Sequence, residues 1–98
     1  MIKHILLFKF NPGIPEEEKE KGIQMLRDLK NKIPEIIDWE VGKQIKEAGD
    51  GRYDFAQVSS FENEDAIKRY GDHPAHQEVR NYLKPRATWV KVDYKSMD

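Results

Sequence analysis

The sequence predicts an α+β protein, with a four-stranded antiparallel sheet carrying helices on one face. Three observations lead there. Stretches of period-two alternation lie near both ends, at Ile2 to Phe10 and at Thr88 to Tyr94. A long, charged segment of helical period follows the first of them. Two more alternating stretches lie between residues 36 and 61, joined by a glycine-rich connection of the kind that closes an antiparallel hairpin.

The first strand puts Ile2, His4, Leu6, Phe8 and Phe10 on one face, and Ile5 and Leu7 between Lys3 and Lys9 on the other. Asn11 to Pro15 forms a turn. Pro15 followed by Glu16, Glu17 and Glu18 opens a helix, because carboxylates favour the positive end of the helix dipole. That helix runs to about Lys32, with Ile23, Leu26, Leu29 and Ile33 as its apolar stripe and Met25 widening it. Pro34 forces an extended exit, and residues Ile36 to Ile45 are expected as the second strand, with Ile37, Trp39, Val41 and Ile45 on one side. Glu47 to Arg52 is a loop, and Tyr53 to Phe61 the third strand. Asn63 caps a short helix whose inner residues are Ala66, Ile67 and Tyr70. A further helix spans Pro74 to Leu83, and Lys84-Pro85 ends it. The last strand carries Val90, Val92 and Tyr94 on one face and Trp89, Lys91 and Asp93 on the other. The order βαββα(α)β is that of a ferredoxin-like fold.

A sheet with helices on one side leaves its other face bare. Ile5, Leu7, Val58 and Trp89 are expected there and are too apolar for water, so a second copy packed sheet against sheet is expected, giving a homodimer with a barrel-like interior.

Composition narrows the function classes. The 98 residues have room for one domain, residues 1–98. Lys and Arg (17) nearly balance Asp and Glu (18), which leaves no electrostatic footprint for nucleic acid or an anionic membrane. With no cysteine there is no disulfide, thiolate metal site or thiol nucleophile. The apolar start is too short to span a bilayer and lacks a small-residue cleavage site, so a soluble, cytoplasmic protein is expected.

The residues that carry chemistry gather in Tyr70-Gly71-Asp72-His73-Pro74-Ala75-His76. Gly71 can take the left-handed conformation that ends a helix, and Pro74 is pre-set for the first position of the next one. Tyr70 then stands in the last turn of one helix and His76 in the first turn of the next, leaning over one corner. His73 is expected to cap the second helix. An imidazole is largely neutral at pH 7 and can take a proton, whereas a phenol stays protonated and can donate. The pair suits removal of a proton next to a carbonyl while the phenol stabilises the enolate. His4, on the helix-facing side of the first strand, is within reach of the same cavity.

The opening Ile2-Lys3-His4-Ile5-Leu6-Leu7-Phe8-Lys9-Phe10, the break from Tyr70 to His76 and the closing Val92-Asp93-Tyr94 together resemble the stress-responsive α/β-barrel domain family of small dimeric α+β barrels. The chain is similar in particular to the plant polyketide cyclase branch. That resemblance implies catalytic roles for Tyr70 and His76 and a pocket-lining role for His4. It also implies that Leu26 and Phe55 line the pocket, and Phe8, on the same strand face as His4, is expected to line it too. The branch has polar pocket residues on the first helix and third strand where this chain has Leu26 and Phe55, which points to a different ligand.

Three readings stand at this point. One is an enzyme of lyase or cyclase type working through Tyr70 and His76. The second is a non-catalytic binding or stress-response module that holds a small apolar or aromatic ligand. The third is a metal site of His73 and His76 with His4 or Asp72, which lacks a clear third ligand. The expectation is no metal and no cofactor.

Overall fold

The computed structural model describes residues 1–45 and 52–98. Its elements are β1 (Ile2–Phe10), α1 (Glu16–Lys32), β2 (Asp38–Lys43), β3 (Phe55–Phe61), α2 (Glu64–Asp72), α3 (Pro74–Leu83) and β4 (Ala87–Lys95). All strand pairs are antiparallel and the sheet order is β2-β3-β1-β4, the ferredoxin-like arrangement expected. The β2 to β3 pairing is the expected hairpin partnership, although most of the loop expected at 47–52 lies outside the described residues. Both hairpin strands are shorter than their alternation suggested. Ile37 and Ile45 stand exposed rather than facing the core.

Local signals explain the helix ends. Glu16, Glu17 and Glu18 occupy the first turn of α1, and Lys30 and Lys32 the last, each matched to the dipole at its end. Pro34 drives Ile33 to an extended conformation (φ −119°, ψ 108°), which stops the helix. Asn63 accepts a hydrogen bond from the Ala66 amide at 2.9 Å and starts α2. Gly22, which the apolar stripe of α1 passed over, is buried at the crossing with α3. A Cβ there would meet Leu83 Cδ2 at 3.0 Å and Tyr82 Cε1 at 3.3 Å.

The break between α2 and α3 is made differently from the expectation. Gly71 is not left-handed; among the described glycines only Gly13 has positive φ (85°). α2 continues through Gly71 to Asp72, and His73 turns the chain with φ −65° and ψ 136°. The cause is Pro74, whose ring excludes the helical region for the residue before it. His73 is the shared cap. Its amide donates to the Tyr70 carbonyl, and its Nδ1 accepts from the Ala75 amide at 3.0 Å.

The core lies between the helices and one sheet face. It holds Ile2, Phe8, Leu26, Leu29, Ile33, Phe61, Tyr70, Val79 and Leu83, with Trp89 packed against it. Trp89 therefore contradicts the expectation that it lies on the open face. In an antiparallel pair, residues directly opposite share a face, and Trp89 is opposite Phe8. The open face of β4 carries Val90, Val92 and Tyr94 instead, 47%, 52% and 44% exposed, beside Leu7 and Val58. No helix among the described residues is long and apolar enough to cross a membrane.

Candidate functional site

A cavity of about 390 Å³ lies between the helices and the half of the sheet formed by β1 and β4. β1 contributes His4, Leu6 and Phe8, and β4 contributes Trp89, Lys91 and Asp93. α1 adds Leu26 and Leu29. α2 adds Ile67, Lys68, Tyr70 and Gly71, and α3 adds His76, Val79, Arg80 and Leu83. Of the residues assigned to a pocket from sequence, His4, Phe8, Leu26, Tyr70 and His76 are in this wall and Phe55 is not. Phe55 stacks on Phe8 with ring centroids 5.0 Å apart. The strand order explains its position: Phe55 on β3 lies on one flank of β1, and the cavity opens on the other, over β4. Trp89 stands where Phe55 was expected.

The two ends of the helix break converge as their spacing suggested. The rings of Tyr70 and His76 are 4.5 Å apart. Tyr70 is 5% exposed and packs among Phe61 (4.9 Å), His4 (5.9 Å) and Trp39 (6.0 Å). Its hydroxyl makes no hydrogen bond among the described residues. Burial first, and then the Asp93 carboxylate, push the Tyr70 phenol well above its ordinary value, so it is protonated throughout the neutral range.

His76 is held by its backbone surroundings. Its Nδ1 lies 3.0 Å from the Gly71 carbonyl oxygen. A carbonyl can only accept, so Nδ1 carries the hydrogen, and in the neutral ring Nε2 is left as the basic nitrogen. The same oxygen accepts from Gln77 Nε2 at 2.7 Å. Burial is the main cause that lowers the pKa of His76. The hydrogen bond to Gly71 opposes it, and electrostatic interaction with His4, Lys91 and Arg80 adds to the lowering. His76 is thus a neutral imidazole at pH 7.

His4 is oriented from β4. Its Nδ1 donates to the Asp93 carboxylate, directly across the strand pair. Asp93 is a residue that sequence reasoning missed, although its alternation with Trp89 was noted. Its signal is the β1 to β4 register, which no local pattern reveals. His73 serves as a helix cap, so its Nδ1 is occupied. Among the described residues no group of three or more His, Asp or Glu side chains is arranged to hold a metal ion.

Fold and cavity define a class: a small α+β protein of ferredoxin-like order, with a phenol and a neutral imidazole side by side in the wall of an apolar chamber. The chain belongs to the stress-responsive A/B barrel domain family, whose model matches residues 2–96. An uncharacterised protein of Streptomyces coelicolor is 38% identical over 97 residues, covering 97% of this chain and 99% of that one. Olivetolic acid cyclase of Cannabis sativa is 34% identical over 93 residues, covering 93% of this chain and 89% of the cyclase. The crystal structure of a dimeric ferredoxin-like protein of unknown function from Thermobifida fusca superposes with a TM-score of 0.84 at 32% identity, covering 97% of this chain and 90% of that one.

Proposed function

We propose that this protein is an acid–base enzyme of the lyase or cyclase kind, acting on a carbonyl compound with an apolar body held in the cavity. The observation that carries the proposal is the 4.5 Å pairing of Tyr70 with His76 at the cavity wall. In this reading Nε2 of His76 removes a proton from the carbon next to the carbonyl. The Tyr70 hydroxyl donates a hydrogen bond to the carbonyl oxygen as negative charge builds on it. His4, braced by Asp93, packs against the Tyr70 ring and positions it. The surrounding Leu6, Leu26, Leu29, Val79 and Leu83 exclude water, which strengthens each polar contact with the substrate. The cyclase relative in Cannabis sativa agrees with this class of chemistry. The apolar wall at Leu26 argues for a ligand whose body makes few polar contacts with α1.

The working unit is a homodimer in this proposal. Leu7, Val58, Val90, Val92 and Tyr94 form an open apolar sheet face, and the Thermobifida fusca relative is described as dimeric.

Thermal-shift screening of aromatic and medium-chain carbonyl compounds, followed by assay of each stabilising compound for conversion, tests the proposal. Conversion that depends on both Tyr70 and His76 is expected. Stabilising compounds that all return unchanged would leave a binding module in its place.

A further inference from the structure

The cavity has a charge asymmetry that proton transfer alone does not require. Lys68 on α2, Arg80 on α3 and Lys91 on β4 line the cavity from three separate elements, and all three are exposed, as residues at its opening to solvent would be. None of their side chains forms an ion pair or hydrogen bond among the described residues, whereas Arg69 and Arg86 nearby pair with Glu35 and Glu18. General basicity does not account for this, since the whole chain has a formal charge of −1. Among the described residues of the wall Asp93 is the one carboxylate, and it is engaged by His4. Apart from these groups the wall is hydrocarbon and aromatic.

We infer that the ligand is an amphipathic carboxylic acid, whose carboxylate sits at the mouth between Lys68, Arg80 and Lys91 while its apolar body fills the cavity. This deepens the proposal above and rests on it for the chemistry, though not for the binding. Arginine offers a carboxylate a paired donor geometry, and the two lysines add charge without fixing direction. Arg80 stands four residues after His76 on α3, so both side chains occupy one helix face about 5–6 Å apart at Cβ. A carboxylate bound by Arg80 therefore places the carbon a few bonds away beside Nε2 of His76, which selects a keto acid over a simple ketone. Lys91 and Arg80 also act on His76 itself, adding to the effect of burial in lowering its pKa. A bound carboxylate offsets those two charges, so the base strengthens only when the acidic substrate is in place.

The test is calorimetric binding of 5-phenylvalerate and of 5-phenylvaleramide, which share size and shape and differ in charge. The carboxylate is expected to bind the wild type about ten-fold or more tightly than the amide, with the preference falling as salt is added. In the Lys68→Gln/Arg80→Gln/Lys91→Gln variant the two should bind alike at unchanged melting temperature, and Arg80→Gln alone should remove a large part of the preference. Equal binding of both probes to the wild type, binding of neither, or a preference that survives the triple change would overturn the inference. Inorganic phosphate alone binding as tightly as phenylvalerate would also overturn it, by making the mouth a bare anion site. The outcome is separable from that of the enzyme proposal. Charge preference without turnover of any compound defeats only the chemistry, and turnover of neutral ketones without charge preference defeats only this inference.

Discussion

The Nδ1 hydrogen of His76 is directed at the carbonyl oxygen of Gly71, 3.0 Å away, and this contact decides which ring nitrogen can act as a base. The carbonyl belongs to the last turn of α2 and the imidazole to the first turn of α3, so the helix break itself sets the tautomer. Histidine at this corner is not interchangeable with a side chain that lacks a donor and an acceptor at opposite positions.

The pH dependence follows from the lowered pKa of His76. The base is active when neutral, so the acid limb of kcat/KM should have its inflection below the ordinary value of 6.5. Stability has the same sign. Below 6.5 the unfolded chain binds a proton that the folded His76 refuses, so stability is lost as pH falls from 6.5 towards the folded value. Tyr70 acts at the other end: its raised pKa means that stability declines as pH rises past 10.0. Denaturant midpoints across the pH range check both limbs, and His76→Gln should flatten the acidic one.

His76→Ala is expected to lower kcat by roughly 10²–10⁴-fold with substrate affinity nearly intact. Tyr70→Phe keeps the ring that packs against Phe61 and removes only the hydroxyl, so it should lose rate and little stability. The double variant should be scarcely slower than either single one, since the two groups act on one proton transfer. Fully additive losses, measured in single-turnover experiments, would contradict the paired mechanism.

Val92 is 52% exposed at the centre of the open face, opposite Ile5. Sedimentation should give a species of twice 11.6 kDa for the wild type and a monomer for Val92→Lys, because an unpaired charge would be buried at the sheet-to-sheet contact. A wild-type monomer at micromolar concentration would remove the basis for the barrel.

Gln57 is fully buried on the helix-facing side of β3. Among the described residues neither its amide nitrogen nor its oxygen has a hydrogen-bond partner, and the Ser59 hydroxyl and Trp39 Nε1 are in the same condition. Replacing Gln57 with Leu, of similar volume, is expected to raise unfolding stability by about 1 kcal/mol by removing unmet polar atoms. A denaturant midpoint that rises with unchanged slope checks this, whereas a fall would show that the amide has a role that apolar packing does not replace.

The sequence by itself determined the elements, because their signals are local. Period-two alternation marked β1 and β4, the acids after Pro15 marked the start of α1, and Pro74 marked the corner that brings Tyr70 to His76, although the turn expected at Gly71 is made at His73. Tertiary structure decided what depends on which strands are neighbours. Alternation divided β4 correctly into a set with Trp89 and a set with Val90, but it carries no sign. The more apolar set, Val90, Val92 and Tyr94, turns outward, because pairing with β1 puts Trp89 opposite Phe8 and Asp93 opposite His4. The same order, β2-β3-β1-β4, takes Phe55 away from the cavity and brings Lys91 into the wall that Lys68 and Arg80 also line. Side chains far apart in the chain meet only through register, and register is an outcome of the whole sheet rather than of any one segment.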